Sequence, residues 1–246
     1  MSPPLSDSLA STASDSFRDG QFAWRFARGK LRGDPVFGAI LAHGLLAGSS
    51  RVVDLGCGQG LLAAWLIAAR ALYAKGAPGS WPATWPAPPT LGSYLGFEIN
   101  PSEVARGRAA IARLAAAGTP TLLSIVEGDI TDVDYGQADA IVLLDVLHYI
   151  DRAAQERVLW KVRAALTPNG RLLLRVGDAA GGLRFTLSRA VDVAVAAARR
   201  GRMMQLHCRP LPEWLALLER TGFSAETRPM SGGTPFANVL LLARPA

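Results

Sequence analysis

The sequence predicts an α/β fold built on a doubly wound, mostly parallel sheet, and three observations predict it. Short apolar strand-like runs alternate with helix-period segments from residue 51 to 177, as right-handed βαβ units require. The segment ADAIVLLDV (138–146) is almost wholly apolar, as a parallel strand covered on both faces must be. A glycine-rich turn, VVDLGCGQG (52–60), leads from the first strand of the alternation into its first helix. Sheets of this kind bind ligands there, beyond the carboxyl ends of the strands.

Residues 1–16 carry six serines and read as a disordered tail. Residues 17–48 read as an N-terminal helical lid of two helices broken at Gly33-Asp34-Pro35, since proline disfavours helix in the residue before it. RVVDL (51–55) is a buried strand and LLAAWLIAARALYAK (61–75) a helix with apolar residues at helical spacing. GAPGSWPATWPAPPTLG (76–92) is a Pro- and Trp-rich loop, long for an α/β connection. SYLGFEI (93–99) is the second strand, and PSEVARGRAAIARLAAAG (101–118) a helix with proline in its first turn and glycine at its end. TLLSIVEGD (121–129) and ADAIVLLDV are the third and fourth strands. A helix over 151–166 stops at Pro168-Asn169-Gly170, and RLLLRVGD (171–178) is the fifth strand. A helical insertion follows over 179–211, then a helix PEWLALLERTGF and two closing strands, SAETRPM and FANVLLLARP.

Half of the 246 residues are apolar and 19% are charged, which excludes a polar disordered chain. Two cysteines, Cys57 and Cys208, build no disulfide framework, and no CxxC pair points to zinc. The formal charge is +6, from 23 arginines and 3 lysines against 20 acids. The arginines are scattered apart from Arg199, Arg200 and Arg202, without a basic stripe interleaved with aromatics, so nucleic acid is not expected as a partner. The N-terminus lacks the basic start and apolar core of a signal peptide, and no uninterrupted apolar run reaches 18 residues. A cytoplasmic protein without a membrane span is expected.

The chemistry concentrates in the strand tips. Glycines 56, 58 and 60 let the backbone turn tightly and approach a ligand. Their GxGxG spacing differs from the GxGxxG of dinucleotide sites. Asp54 stands two residues before the first glycine. A carboxylate there opposes a pyrophosphate but suits an ammonium or sulfonium, an interaction on the order of 4 kcal/mol at about 4 Å and an effective dielectric near 20. Glu98 ends the second strand, where a carboxylate accepts both hydroxyls of a ribose. Asp129 follows the third strand, placed to accept from an adenine amino group with Ile130 packed on the ring, and Asp145 ends the fourth. Each acid alone reads equally as a helix cap or a solvated charge; four on successive strands, with the glycine turn, form a specific constellation.

These strings resemble the class I S-adenosylmethionine-dependent methyltransferases: VVDLGCGQG their first motif, GFEIN their second, EGDIT their third, ADAIVLLDVLHYI their fourth and LTPNGRLLLRVGD their fifth-strand segment. The resemblance implies a seven-stranded sheet of order 3-2-1-4-5-7-6 with strand 7 antiparallel, forming a Rossmann-like methyltransferase domain over 49–246. It implies S-adenosyl-L-methionine as cofactor and S-adenosyl-L-homocysteine as product. Asp54, Gly56 and Gly58 then surround the methionine part, Glu98 the ribose, and Asp129 and Ile130 the adenine. Cys57, Ile99 and Asp145 complete the expected cofactor contacts, and the helical insertion lies over the acceptor pocket. FAWRFARGKLRGDPVF (22–37) also resembles the methyltransferases of bacterial aryl-polyene pigment pathways, which implies a hydroxylated aromatic acceptor.

A hydroxyl acceptor must lose a proton, which favours a base near pH 7. His148, three residues past Asp145, and His207, in the insertion, are the candidate catalytic residues, each also readable as structural, while His43 reads as structural. No metal-ligand cluster is seen. Cys57 and Cys208 read as small packing residues. Trp81 and Trp85 read either as loop anchors or as a dimer contact or carrier-protein docking patch. A small-molecule methyltransferase is the expected function; a methyltransferase acting on RNA or protein, and a non-catalytic binding module of the same fold, are the alternatives.

Overall fold

Apolar runs flanked by glycine and proline give short strands here because such runs bury both faces only inside a covered sheet. The computed structural model describes residues 3–76, 80–179, 206–232 and 237–246. Its strands are β1 (Arg51–Leu55), β2 (Ser93–Glu98), β3 (Leu122–Glu127), β4 (Ala138–Leu144), β5 (Leu166–Gly177), β6 (Phe223–Pro229) and β7 (Asn238–Pro245). They form one seven-stranded sheet in the order β3-β2-β1-β4-β5-β7-β6. β7 runs antiparallel to both β5 and β6. The chain divides into two compact units, residues 1–128 and 129–246.

In the first unit β1 pairs in parallel with β2, and β2 with β3, with Asp54 opposite Gly96 and Glu98 opposite Glu127. Helix α1 (Pro3–Ser14) precedes α2 (Gln21–Gly33) and α3 (Pro35–Ala42). The break between α2 and α3 falls at Asp34, whose side chain caps α3 by accepting from the Val36 amide at 3.1 Å. Helix α4 (Leu61–Ala74) buries every residue of its first six, Leu61 to Leu66. The Trp65 indole donates to the Phe37 carbonyl at 2.9 Å and meets the Phe37 ring edge-on, fastening α3 to α4. Helix α5 (Pro101–Ala116) starts at a cap in which Asn100 accepts from the Ser102 amide.

The expected disordered tail is a helix instead. Leu5, Leu9, Ala10 and Ala13 lie on one stripe of α1 and are buried, and α1 packs on α2 and α4. The serines that suggest disorder close their own hydroxyls locally: Ser14 donates to Ser11 O and Ser16 to Ala13 O.

In the second unit β4 pairs in parallel with β5, Val142 opposite Leu173. The strand β5 begins at Leu166, five residues before the expected start. The register jumps from Ala138↔Leu166 to Ala140↔Arg171, so Thr167 to Gly170 form an irregularity within the strand rather than a separate loop. Helix α6 (Arg152–Ala165) buries Ala154, Val158, Leu159 and Val162 along one stripe, and α7 (Leu211–Arg220) buries Trp214, Leu217 and Leu218. The helix expected over 183–200, and most of the insertion over 179–211, lie outside the described residues. Among the described residues no helix is long and apolar enough to cross a membrane.

Candidate functional site

In the first unit the glycine turn leaves β1 through three left-handed residues, Gly56 (φ 76°), Gly58 (φ 55°) and Gly60 (φ 81°). This conformation is open to glycine at little cost and strained for other residues. The turn is strapped to β2: the amides of Gly56 and Cys57 both donate to the Phe97 carbonyl, at 2.8 and 3.0 Å. A Cβ on Gly58 would meet no atom within 4 Å, so the peptide there faces open space.

Glu98 holds the turn from the other side. Its Oε2 accepts from the Gly58 amide at 3.0 Å and its Oε1 from the Asn100 amide at 2.9 Å. Each carboxylate oxygen has a second lone pair, so a fixed, partly exposed acceptor stands at the tip of β2. Ile99 beside it is 42% exposed, a large apolar side chain turned to solvent.

Asp54 lies beneath this surface and is buried. Its Oδ2 accepts from the Tyr94 hydroxyl at 2.5 Å. The Ala63 amide, in the first turn of α4, hydrogen-bonds the same phenol oxygen. Burial pushes the Asp54 carboxyl up to about 7, against the pull of the Tyr94 hydrogen bond and with the Glu98 charge adding to the rise. The site thus holds a carboxyl poised to ionise when a cation arrives.

Cys57 divides its roles between backbone and side chain. Its amide shapes the turn, while its thiol is buried with Val104 and Ile125. A Cβ on Gly96 would come within 2.6 Å of that sulfur, so β2 needs glycine there. Burial pushes the thiol well up from its ordinary value, which fits packing rather than nucleophilic chemistry. Gln59, also buried, donates to the Ala23 carbonyl of α2 at 3.4 Å, so the N-terminal helices touch the turn directly.

In the second unit Asp129 opens the segment after β3. Its Oδ1 accepts from the amide and the hydroxyl of Thr131, at 2.8 and 2.9 Å. Ile130 is buried. Asp145, past the end of β4, adopts a left-handed backbone (φ 61°), which the described residues show in no other non-glycine. Both its carboxylate oxygens accept from Arg175 of β5, whose guanidinium is itself buried. Asp145 is therefore neutralised within its own unit.

The two candidate catalytic histidines meet here. The His207 amide donates to the His148 carbonyl at 2.8 Å. Between them stands Gln155, fully buried, whose amide donates to His207 O, Leu147 O and Ile150 O and whose Oε1 accepts from Arg209 at 2.6 Å. The His148 ring is buried against Tyr149. Burial lowers its pKa below the ordinary value, with the Asp145 charge pulling the other way, so the imidazole is neutral at pH 7.

Tyr94, Gln155 and Arg175 escape the sequence reading. Tyr94 shares the face of β2 that meets Asp54, because Asp54 pairs with Gly96 and Tyr94 stands two residues earlier. A signal existed in the tyrosine's place among apolar strand residues, since a buried phenol needs a partner. Arg175, a lone cation within the apolar run LLLRV, signals a buried partner in the same way. His43 is exposed at the end of α3 and joins neither site. Trp81 and Trp85 meet edge-on, and Trp81 meets Tyr73 of α4, an arrangement that fits loop anchoring.

Residues 53–172 match the family model described as a methyltransferase domain. A carboxy-S-adenosyl-L-methionine synthase from Chromohalobacter salexigens is 33% identical over 149 residues, covering 58% of this chain and 48% of that protein. The chain thus spans about half the length of this curated relative. Among solved structures, an O-methyltransferase family protein from Burkholderia thailandensis superposes with a TM-score of 0.62 at 19% identity, covering 96% of this chain and 64% of that one. The magnesium protoporphyrin IX methyltransferase from Synechocystis, with bound SAH, gives a TM-score of 0.59 at 20% identity and covers 99% of each chain. At these identities the structural likeness establishes the fold.

Proposed function

We propose, from the match of residues 53–172 to the methyltransferase-domain model, that the chain transfers a methyl group from S-adenosyl-L-methionine to a small-molecule acceptor. The observation that carries the proposal is the bond from the Gly58 amide to Glu98, which fixes a ribose acceptor against the open peptide of the glycine turn. The residues fit the cofactor on three counts. Space lies over Gly58, Glu98 keeps free lone pairs, and the buried Asp54 carboxyl ionises near neutrality. When bound, the cofactor supplies a methyl activated by its sulfonium, so transfer is an in-line displacement.

The chain supplies the rest. Asp54 and Tyr94 provide the buried negative charge that favours the cofactor's cationic end. Glu98 orients the ribose, and Asp129 with Ile130 receives the adenine. The acceptor we propose is a hydroxylated aromatic, for which His148 serves as base or orienter. Its support is the neutral, buried imidazole beside the strained Asp145, together with the O-methyltransferase assignment of the Burkholderia neighbour. A phenol is mostly protonated at pH 7, and a neutral imidazole is suited to taking its proton.

The test is a thermal-shift titration with S-adenosyl-L-methionine and S-adenosyl-L-homocysteine. Ligand at 100 times Kd adds about 2.7 kcal/mol of stability, so both should raise the melting temperature. No shift with either overturns the proposal.

A further inference from the structure

Lys161 is one of 3 lysines among 26 basic residues, and every donor it has is aimed at one loop. From α6 its Nζ donates to the carbonyls of Thr131 and Val133, at 2.9 and 2.8 Å, and lies 4.8 Å from the centroid of the Tyr135 ring. Tyr135 is itself buried and donates its hydroxyl to the Ile130 carbonyl. The amides of Asp132 and Val133 both turn back to the Asp129 carbonyl at 3.0 Å. Thr131 fixes Oδ1 of Asp129, while Oδ2 takes no hydrogen bond among the described residues. The whole loop from 129 to 135 is thus gathered on one ammonium, with an acceptor oxygen of Asp129 left over.

A compact ammonium suits this task and a guanidinium does not. Three rotatable donors converge on two carbonyls and a ring face, whereas a planar fork directs its hydrogens outward in fixed pairs. In a chain that uses arginine almost everywhere else, lysine at this position answers that geometry. Without the cation the Thr131 and Val133 carbonyls would lose their shared donor, and the loop its tie to α6.

We propose that Lys161 is the positioning residue for nucleobase recognition: it sets the Asp129–Ile130 loop so that Oδ2 of Asp129 accepts from the exocyclic amine of an adenine. This rests on the proposed function above. It predicts that Lys161 governs discrimination between an amino and an oxo group on the purine, a property that general destabilisation would not alter selectively.

The experiment titrates S-adenosyl-L-homocysteine and its deaminated analogue, S-inosyl-L-homocysteine, into the wild-type chain, Lys161→Met and Lys161→Arg, with melting temperatures recorded in parallel. The wild type should prefer the adenosyl ligand by at least about tenfold, since a site built to pair a donor rejects the analogue lacking it. Lys161→Met should lose most of that preference, and Lys161→Arg part of it, with the inosyl ligand bound nearly as before. Equal loss for both ligands, or no loss for either, overturns the inference while leaving the proposed function intact. Failure of the wild type to bind either ligand overturns the proposed function itself and this inference with it. If Lys161→Met does not fold, Lys161→Arg carries the test alone, because it keeps the charge but not three rotatable donors; an unchanged preference in that variant contradicts the inference.

Discussion

The phenol of Tyr94 donates to Oδ2 of Asp54 at 2.5 Å, with both side chains buried. Burial disfavours the charged carboxylate and this bond favours it, leaving Asp54 at about 7. Tyr94→Phe removes the favourable contribution and moves the carboxyl further up. Cofactor affinity at pH 7 should then fall about tenfold or more, as expected for a lost hydrogen bond to a charged group. It should recover towards wild type near pH 9, where Asp54 ionises regardless. Titration calorimetry across pH 6–9 checks this; a loss independent of pH contradicts it.

The same residue sets a pH dependence of stability without ligand. Its folded pKa, about 7, lies above the ordinary 3.8. The stability it contributes is therefore fully present below about pH 4 and lost as pH rises through 7. Asp54→Asn removes this dependence. Relative to the variant, the wild type should lose a few kcal/mol between pH 4 and pH 8, measured by denaturant unfolding, while the variant binds cofactor weakly at every pH.

Helix α1 should contribute to folding rather than trail from it. Leu9 is 1% exposed, so Leu9→Ala should cost about 2–5 kcal/mol through lost burial and the cavity left behind. A variant as stable as wild type would restore the tail reading.

The strands and the glycine turn are legible in the sequence because apolar runs between glycines and prolines have few other places to go. Helix α1 is not, since two of its four buried apolar positions are the alanines 10 and 13 and serines are interspersed along the helix. Asp54, Gly58 and Glu98 are legible as a group because each stands at a strand tip. The partners that tune them are not. Tyr94 reaches Asp54 through the β1–β2 register, Arg175 reaches Asp145 across β4 and β5, and Lys161 grips a loop 28 to 30 residues away. Such pairings follow from strand order and packing, which no local pattern carries.

On the acceptor side, His148→Ala should lower turnover on a phenolic acceptor by about 10²–10⁴-fold with cofactor affinity near wild type. Burial lowers the His148 pKa, so the imidazole stays neutral down to pH values below the ordinary 6.5, and the wild-type rate should fall only on that acid side. Single-turnover transfer to a series of phenolic acids, read from pH 5 to 8, checks both statements. Full rate in the variant would assign the reaction to proximity alone.

Titration calorimetry of S-adenosyl-L-homocysteine into the wild type and Glu98→Gln tests the cofactor site most directly. Glu98 accepts from the amides of Gly58 and Asn100, and a glutamine there turns a donor towards one of them and accepts more weakly from a ribose. The wild type should show one saturable site per chain and Glu98→Gln one at least about tenfold weaker, with melting temperatures without ligand within a few degrees. No saturable binding to the wild type, or equal affinity in the two proteins, would contradict the cofactor site.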